Sequence, residues 1–368
     1  MSAGEMAGMS TGEVAEVRAG EMAGVSQGGR MIEINPPEEL SIATYNVQNL
    51  FDFIDDPQRD EGEFTPNVGD WSRSTYEARV AAIAEALLLI DADIVTLQEV
   101  ENEVVLEALA DHLLSIGGRD YQFRATSSTR DPRGIALGVL SVYPFHREIG
   151  RPISQGVNCA NGETLDGSRP EARPIYEINF WTDESGGGGG GGEMSLTLLV
   201  NHWKSRASGD YPCRVREHHE RGAMQIKSLL IDWLTEEPTR AVVVLGDFNA
   251  EESEPSLSEQ INAYLNRAEL NEVGVLYNLW GELGVTASSS NNATNSTYRY
   301  DGDWFRLDHI LVSQPMVSDE GGAWRVKSVE LIRDQRLLNN GRPYGWSSRQ
   351  TQGYSDHLPL KMNLVLNR

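Results

Sequence analysis

The sequence predicts an α/β (α+β) protein of mixed sheets flanked by helices, and two observations carry that reading. In the first half of the 368 residues, apolar strands alternate with segments whose apolar residues recur at helical spacing, while later segments are strand-only. The strands also tend to end in acids, amides or imidazoles. The stretch VVVLGDFNA at 242–250 shows this best. Val242 to Leu245 read as a buried strand and Gly246 permits a tight turn. Asp247 and Asn249, two residues apart, then share one face. Taken alone, a D-x-N after a strand can simply cap the next turn; matching pieces at other strand ends give it weight.

In chain order, residues 1–39 differ from the rest. AGEMAG occurs at 3–8 and again at 19–24, no aromatic residue is present, and Glu is in surplus. Such a tract buries too little apolar surface to offset its chain entropy and is expected to be a disordered acidic tether, with the ordered domain at 40–368. LSIATYNVQNLFD (40–52) suits a strand ending at Asn46, Gln48 and Asn49. Asp55, Asp56, Asp60, Glu61 and Glu63 then read as a solvated surface loop. A helix follows from Ser74, which forms a capping box with Glu77 ahead of Tyr76, Val80, Ile83, Ala84, Leu87 and Ile90.

ADIVTLQEVEN (92–102) is a strand running into Gln98 and Glu99, and a helix through Val105 to Leu114 ends at Gly117 and Gly118. Strands are expected at 120–126, 134–142 and 173–181. Seven glycines at 186–192 form a loose hairpin loop before the strand 194–201, which ends in Asn201, His202, Trp203 and Lys204. Next come a helix at 214–234, the strand 241–246 and a helix near 254–268. An exposed Ser/Asn/Thr loop at 286–297, a strand at 305–313 and a last strand after GYSDHLP complete the chain.

The formal charge, 31 basic against 55 acidic residues or −24, argues against a protein that coats nucleic acid, since that needs clustered Lys and Arg. It does not argue against an enzyme that meets phosphate through metal-screened carboxylates. No apolar run is long enough to cross a bilayer, and no signal peptide is legible at the N-terminus. Cys159 and Cys213 allow one internal disulfide, which the sequence leaves open.

Asn46, Glu99, His202, Asp247, Asn249, Asp308, Asp356 and His357 thus arrive at strand ends. Hard oxygen donors and imidazoles, with no CxxC and no HExxH, favour Mg2+, with Mn2+ or Ca2+ as substitutes, over zinc. Such an ion with open positions, two histidines and orienting amides is what in-line attack of water on a phosphodiester requires. Each residue also has a plainer reading. Asn46 could cap a turn, Glu99 could be one more solvated acid beside Glu101 and Glu103, and Asp301 and Asp303 flank a turn glycine. His218 and His219 read as surface or packing residues of a helix.

YNVQNLFD, LQEVEN, VNHWKS, GDFNA, LDHILVS and SDHLP, in this order, resemble the endonuclease/exonuclease/phosphatase superfamily with its DNase I-like fold, within it the bacterial secreted or surface nuclease branch. The resemblance spans residues 40–364 and implies a four-layer sandwich of two packed sheets. It also implies roles. Glu99 is the principal metal ligand, with Asn46 beside it and Asp356 helping with metal or water. Asp247 and Asn249 position the scissile phosphate and the attacking water. His357, oriented by Asp308, is the general base and His202 the general acid. His309 then points to the opposite face. Lys204, Arg206 and Arg133 would suit substrate phosphates. Gln48 departs from relatives that carry an acid there, which weakens a second metal contact from this strand.

The leading expectation is a monomeric, metal-dependent endonuclease on DNA or RNA, secreted, periplasmic or surface-tethered. Its first rival is the same chemistry on a small or lipid phosphodiester, and a second is a catalytically dead binding module. A basic groove beside His202 would favour nucleic acid, and an apolar rim of Trp and Phe would favour lipid.

Overall fold

The structure, a computed structural model, describes residues 21–23, 35–128, 131, 133–147, 151–152, 173–181, 194–206, 212–318 and 321–367. The Cys159–Cys213 pairing that the sequence leaves open and the glycine run at 186–192 lie outside what is described. The chain runs through β1 (Glu21–Ala23) and the long β2 (Glu39–Leu50), then by helix α1 (Arg73–Ile90) to β3 (Ile94–Val100). Helix α2 (Glu103–Ser115) leads to β4 (Phe123–Thr126) and β5 (Ala136–Ser141). Then come β6 (Phe145–Arg147), β7 (Arg151–Pro152), β8 (Pro174–Phe180) and β9 (Leu196–His202). Helix α3 (Pro212–Glu236) precedes β10 (Ala241–Asp247), β11 (Ala263–Tyr264) and β12 (Leu276–Asn278). A hairpin of β13 (Tyr298–Tyr300) and β14 (Asp303–Phe305) opens onto β15 (Asp308–Ser313). The last strands are β16 (Trp324–Leu331), β17 (Leu338–Asn339), β18 (Arg342–Pro343) and β19 (Leu360–Leu366).

Two mixed sheets form. One has the order β16-β19-β2-β3-β5-β4, the other β1-β6-β8-β9-β10-β15-β12-β11 with β7 against β8. Each has a parallel pair at its centre, β2 with β3 and β9 with β10. Parallel neighbours need a crossover, and helices α1 and α3 supply it. Side chains alternate along each strand, so each sheet has two buried faces. Leu40, Ile42, Ile94 and Val139 of one sheet meet Leu198, Val200, Val243, Leu245 and Ile310 of the other. The opposite faces bury Ala43, Tyr45, Val95 and Leu97 under α1 and α2, and Leu199, Val242, Val244 and Leu311 under α3. Helix, sheet, sheet, helix is the expected four-layer sandwich. Each fully buried Val, Leu or Ile contributes roughly 1.5–3 kcal/mol, so all three apolar layers add to the stability.

Several local expectations need correction. The cap of α1 is Ser72, whose hydroxyl accepts from the Thr75 N–H, and not Ser74. The earlier serine wins because buried Trp71 just before it packs on Tyr76, a hydrophobic staple that fixes where the helix starts. The helix expected near 254–268 is only a short turn, Ser256–Ile261, ended by Asn262 in a left-handed conformation (φ 60°). The strand expected at 305–313 is broken between β14 and β15. Glu61, expected to be solvated, is buried and accepts from the Asp56 N–H. In the loop expected to be exposed, Ser296 and Thr297 are buried, and the Thr297 carbonyl accepts from the Leu358 N–H. Part of the expected tether is a strand: Glu21–Ala23 pairs antiparallel with β6.

Candidate active site

The alternation that builds the central layer also builds the site. The parity that puts Leu245 between the sheets puts Asp247 there at the end of β10. His202 follows Val200 in the same way, Asn46 follows Ile42 and Thr44, and Asp308 leads into Ile310. Register then aligns them: Asp247 lies opposite His202 on its parallel neighbour and opposite Asp308 on its antiparallel neighbour. Gly246 is required for this approach. At φ 132°, a Cβ there would sit 2.0 Å from the Asn201 carbonyl oxygen.

Glu99 arrives by another device. Strict alternation would send it under the helices with Val95 and Leu97. Instead β3 shifts register between Gln98 and Val100, and Glu99 takes φ 67°. This bulge turns its carboxylate toward the site. Glu99 Oε2 accepts from the Asn49 N–H at 3.0 Å, and Oε1 lies 3.6 Å from His202 Nε2.

Asp247 is the hub. Its Oδ2 accepts from Asn46 Nδ2 at 2.9 Å and Asn249 Nδ2 at 3.1 Å, and lies 3.5 Å from His202 Nε2 and 4.0 Å from His357 Nε2. His357 Nδ1 pairs with Asp308 Oδ2 at 2.7 Å. Burial, then the nearby Asp308 charge, pushes the Asp247 carboxyl up to about 7. Burial alone would lower the His357 imidazole, but the Asp308, Asp247 and Asp356 carboxylates outweigh it and push it up to about 10. His202 goes the other way: burial first, then the Arg173 charge, holds it well below the usual histidine range. In the absence of a cation the cluster thus favours a charged His357 and a neutral His202.

The other expected residues divide. Asn46 Oδ1 caps the bulged end of β2 by accepting from the Gln48 N–H, so the carboxamide presents its donor to the acids. Asn249 also donates to the Trp203 carbonyl and thus holds Asp247 in place. Asp356, half-buried beside His357, has its N–H on Gln48 Oε1, and burial raises its carboxyl. Arg133 sits at the rim, its guanidinium 3.4 Å from Asn49 Oδ1 and 3.3 Å from Asp131. Lys204 lies two residues past His202, and its carbonyl faces His219 Nε2. Arg206 is not brought to the cluster, because Glu254 takes its guanidinium. His309 lies on the helix side, between Asn278 and the Ala250 carbonyl. His219 is a packing residue against Trp203.

Sequence reasoning missed several contributors. Arg173 donates to the Trp203 carbonyl at 2.8 Å and supplies positive charge beside His202. Tyr298 stacks on His357 with ring centroids 4.7 Å apart. Ser355 donates to the Asn46 carbonyl at 2.6 Å and accepts from the His357 N–H, tying His357 to the end of β2. Arg79, fully buried, donates to the carbonyls of Val47, Gln48 and Tyr354. Only Ser355 carried a signal, as the residue before Asp356-His357.

The donor set fits a hard divalent cation. Asp247, Asp308 and His357 bring ligand atoms within 4.8 Å of one another, and Glu99 and Asp356 stand beside them. Asp308 Oδ1 is buried without a hydrogen-bond partner among the described residues. A crowd of carboxylates that raises its own members' affinity for protons is one that a cation would relieve.

A four-layer sandwich with this acid and imidazole set at one edge of its central layer defines a phosphoesterase. The chain belongs to the endonuclease/exonuclease/phosphatase family, whose model matches residues 41–149 and 189–366. Among solved structures it is similar in fold to an endonuclease/exonuclease/phosphatase family protein from Bacteroides thetaiotaomicron, at 16% identity and TM-score 0.51, covering 89% of this chain and 95% of that one. It is likewise similar to the catalytic domain of human nocturnin with bound sulfate, at 16% identity and TM-score 0.50, covering 91% and 97%. No curated protein matches the sequence.

Proposed function

We propose that the protein is a divalent-metal-dependent phosphodiesterase that hydrolyses nucleic acid. The observation that carries this reading is the Asp247 carboxylate, set between His202 and His357 at 3.5 and 4.0 Å and flanked by the Asp308–His357 pair. Asp247, aimed into the space between the two imidazoles, is placed to accept the proton of an attacking water. His357, charged and oriented by Asp308, faces the same space through Nε2 and can hand a proton to the leaving oxygen. His202, kept neutral, can donate a hydrogen bond to a phosphate oxygen, while Asn46 and Asn249 hold Asp247. A cation held by Glu99, with Asp247, Asp308 and Asp356 beside it, would supply Lewis acidity and offset the carboxylate charge.

Two features favour nucleic acid over lipid. Arg133 at the rim and Arg173 behind it, both reaching Asp131, put positive charge beside His202. No Trp or Phe is among the exposed large apolar side chains of the described residues. The similarity of the opening motif to secreted or surface nucleases, with the acidic N-terminal stretch, supports export, which fractionation of the producing cells would test.

The deciding assay incubates plasmid, single-stranded DNA, RNA and sphingomyelin with Mg2+, Mn2+ or Ca2+. Cleavage of nucleic acid is expected, abolished by EDTA and lowered about a hundredfold or more in His357→Ala and Asp247→Asn. Turnover confined to sphingomyelin, or full activity in those variants, would overturn the proposal.

A further inference from the structure

Asp356 has a second neighbourhood besides the catalytic one. It forms one wall of a cleft of about 590 Å³, whose other lining residues are Arg299, Asp301, Gly302, Arg342 and Pro343. The cleft therefore opens next to His357. Two hairpins make it. Arg299 lies on β13 and Asp301 and Gly302 at the β13–β14 turn, while Arg342 and Pro343 form β18, paired with β17. The first hairpin grows directly out of the site: Tyr298, the residue before Arg299, bridges to His357 and stacks on its ring.

The two arginines are uncommitted. Among the described residues neither guanidinium has a carboxylate within ion-pair distance, although the molecule carries 55 acids against 31 bases. Arg299 lies against the Trp304 ring at 5.7 Å, and its Nε is buried without a hydrogen-bond partner among the described residues. Arginine forks suit phosphate oxygens. Asp301, which only accepts, suits the N–H edge of a base and would repel a bare anion. Two guanidiniums and two carboxylates, Asp301 and Asp356, in a single cleft therefore match a nucleotide, phosphate and base together, better than an isolated phosphate.

We propose that this cleft is a second nucleotide subsite, in which Arg299 and Arg342 hold a phosphate of the substrate strand next to the one being cleaved. The inference rests on the nucleic-acid reading above and deepens it. It gives a net-acidic enzyme a local means of gripping a polyanion, and it makes substrate length matter. A phosphodiester without a neighbouring nucleotide, such as bis-p-nitrophenyl phosphate, cannot use the cleft.

Two measurements on the full chain test it. The first is kcat/KM for a short single-stranded oligonucleotide divided by that for bis-p-nitrophenyl phosphate, in wild type, Arg299→Ala, Arg342→Ala and Arg299→Lys. The ratio is expected to fall roughly tenfold in each alanine variant and to recover in part with lysine. The second is anisotropy of the labelled oligonucleotide on His357→Ala in EDTA, with and without the arginine changes. Each alanine change should weaken binding and flatten the slope of log affinity against log salt by about 0.7. Equal losses on both substrates would mean a structural effect and overturn the subsite, as would unchanged ratio and binding. Arginine-dependent binding without cleavage would leave the subsite standing and sink the nuclease reading; cleavage with arginine-independent binding would do the reverse.

Discussion

At the scale of single residues, His357 and Asp308 carry the largest electrostatic interaction in the site, a buried charge pair at 2.7 Å. The imidazole's proton affinity is raised from the ordinary 6.5 to about 10 on folding, so the folded state binds that proton more tightly than the unfolded chain. The linked stability is complete below about pH 6.5 and drains away as pH rises through about 10. Removing the carboxylate with Asp308→Asn should cost about 3–5 kcal/mol at pH 7, because the raised proton affinity of His357 is lost with its partner. It should also flatten the fall in stability between pH 7 and 10. Denaturant titrations of both proteins across that window check this, and parallel curves would refute the pairing.

Much at this scale was legible. Strand parity alone places Asn46, His202, Asp247 and Asp308 on one face once the strand ends are recognised, and it correctly sends His309 to the other. Arg173, Arg299 and Arg342 were not legible. An arginine in a loop or short hairpin has no periodicity, and its role comes only from what folds against it.

At the scale of elements, sequence period predicted the long strands and helices well, because each buries a face of regular spacing. It failed where two local signals competed or where backbone conformation departed from regularity. The sequence read Ser74 as the cap, and the start at Ser72 depended on Trp71 packing against Tyr76. Ser72→Ala should therefore cost about 1 kcal/mol, whereas Ser74→Ala should change stability by only a few tenths. Paired melting curves decide it, and a larger loss from Ser74→Ala would restore the other cap. The Glu99 bulge was likewise invisible, since an extra residue in a strand leaves no mark on composition. Yet it is what separates Glu99 from one more acid in the series Glu99, Glu101 and Glu103.

At the scale of the whole molecule, a chain of net charge −24 concentrates Glu99, Asp247, Asp308 and Asp356 at one end of its central layer. A cation that binds there should stabilise the fold by about 2.7 kcal/mol at a hundred times its dissociation constant, several degrees for a chain of this size. Mg2+ is thus expected to raise the melting temperature, EDTA to reverse the rise, and Glu99→Ala to shift the titration to higher metal. An identical titration in the variant would remove Glu99 from the ligand set.

Asn46 and Glu99 come from one sheet, and His202, Asp247 and Asp308 from the other. Neither half owns a working centre, so hydrolysis is a gauge of docking: during refolding, turnover should return only when the two leaves close, after backbone circular dichroism has already recovered.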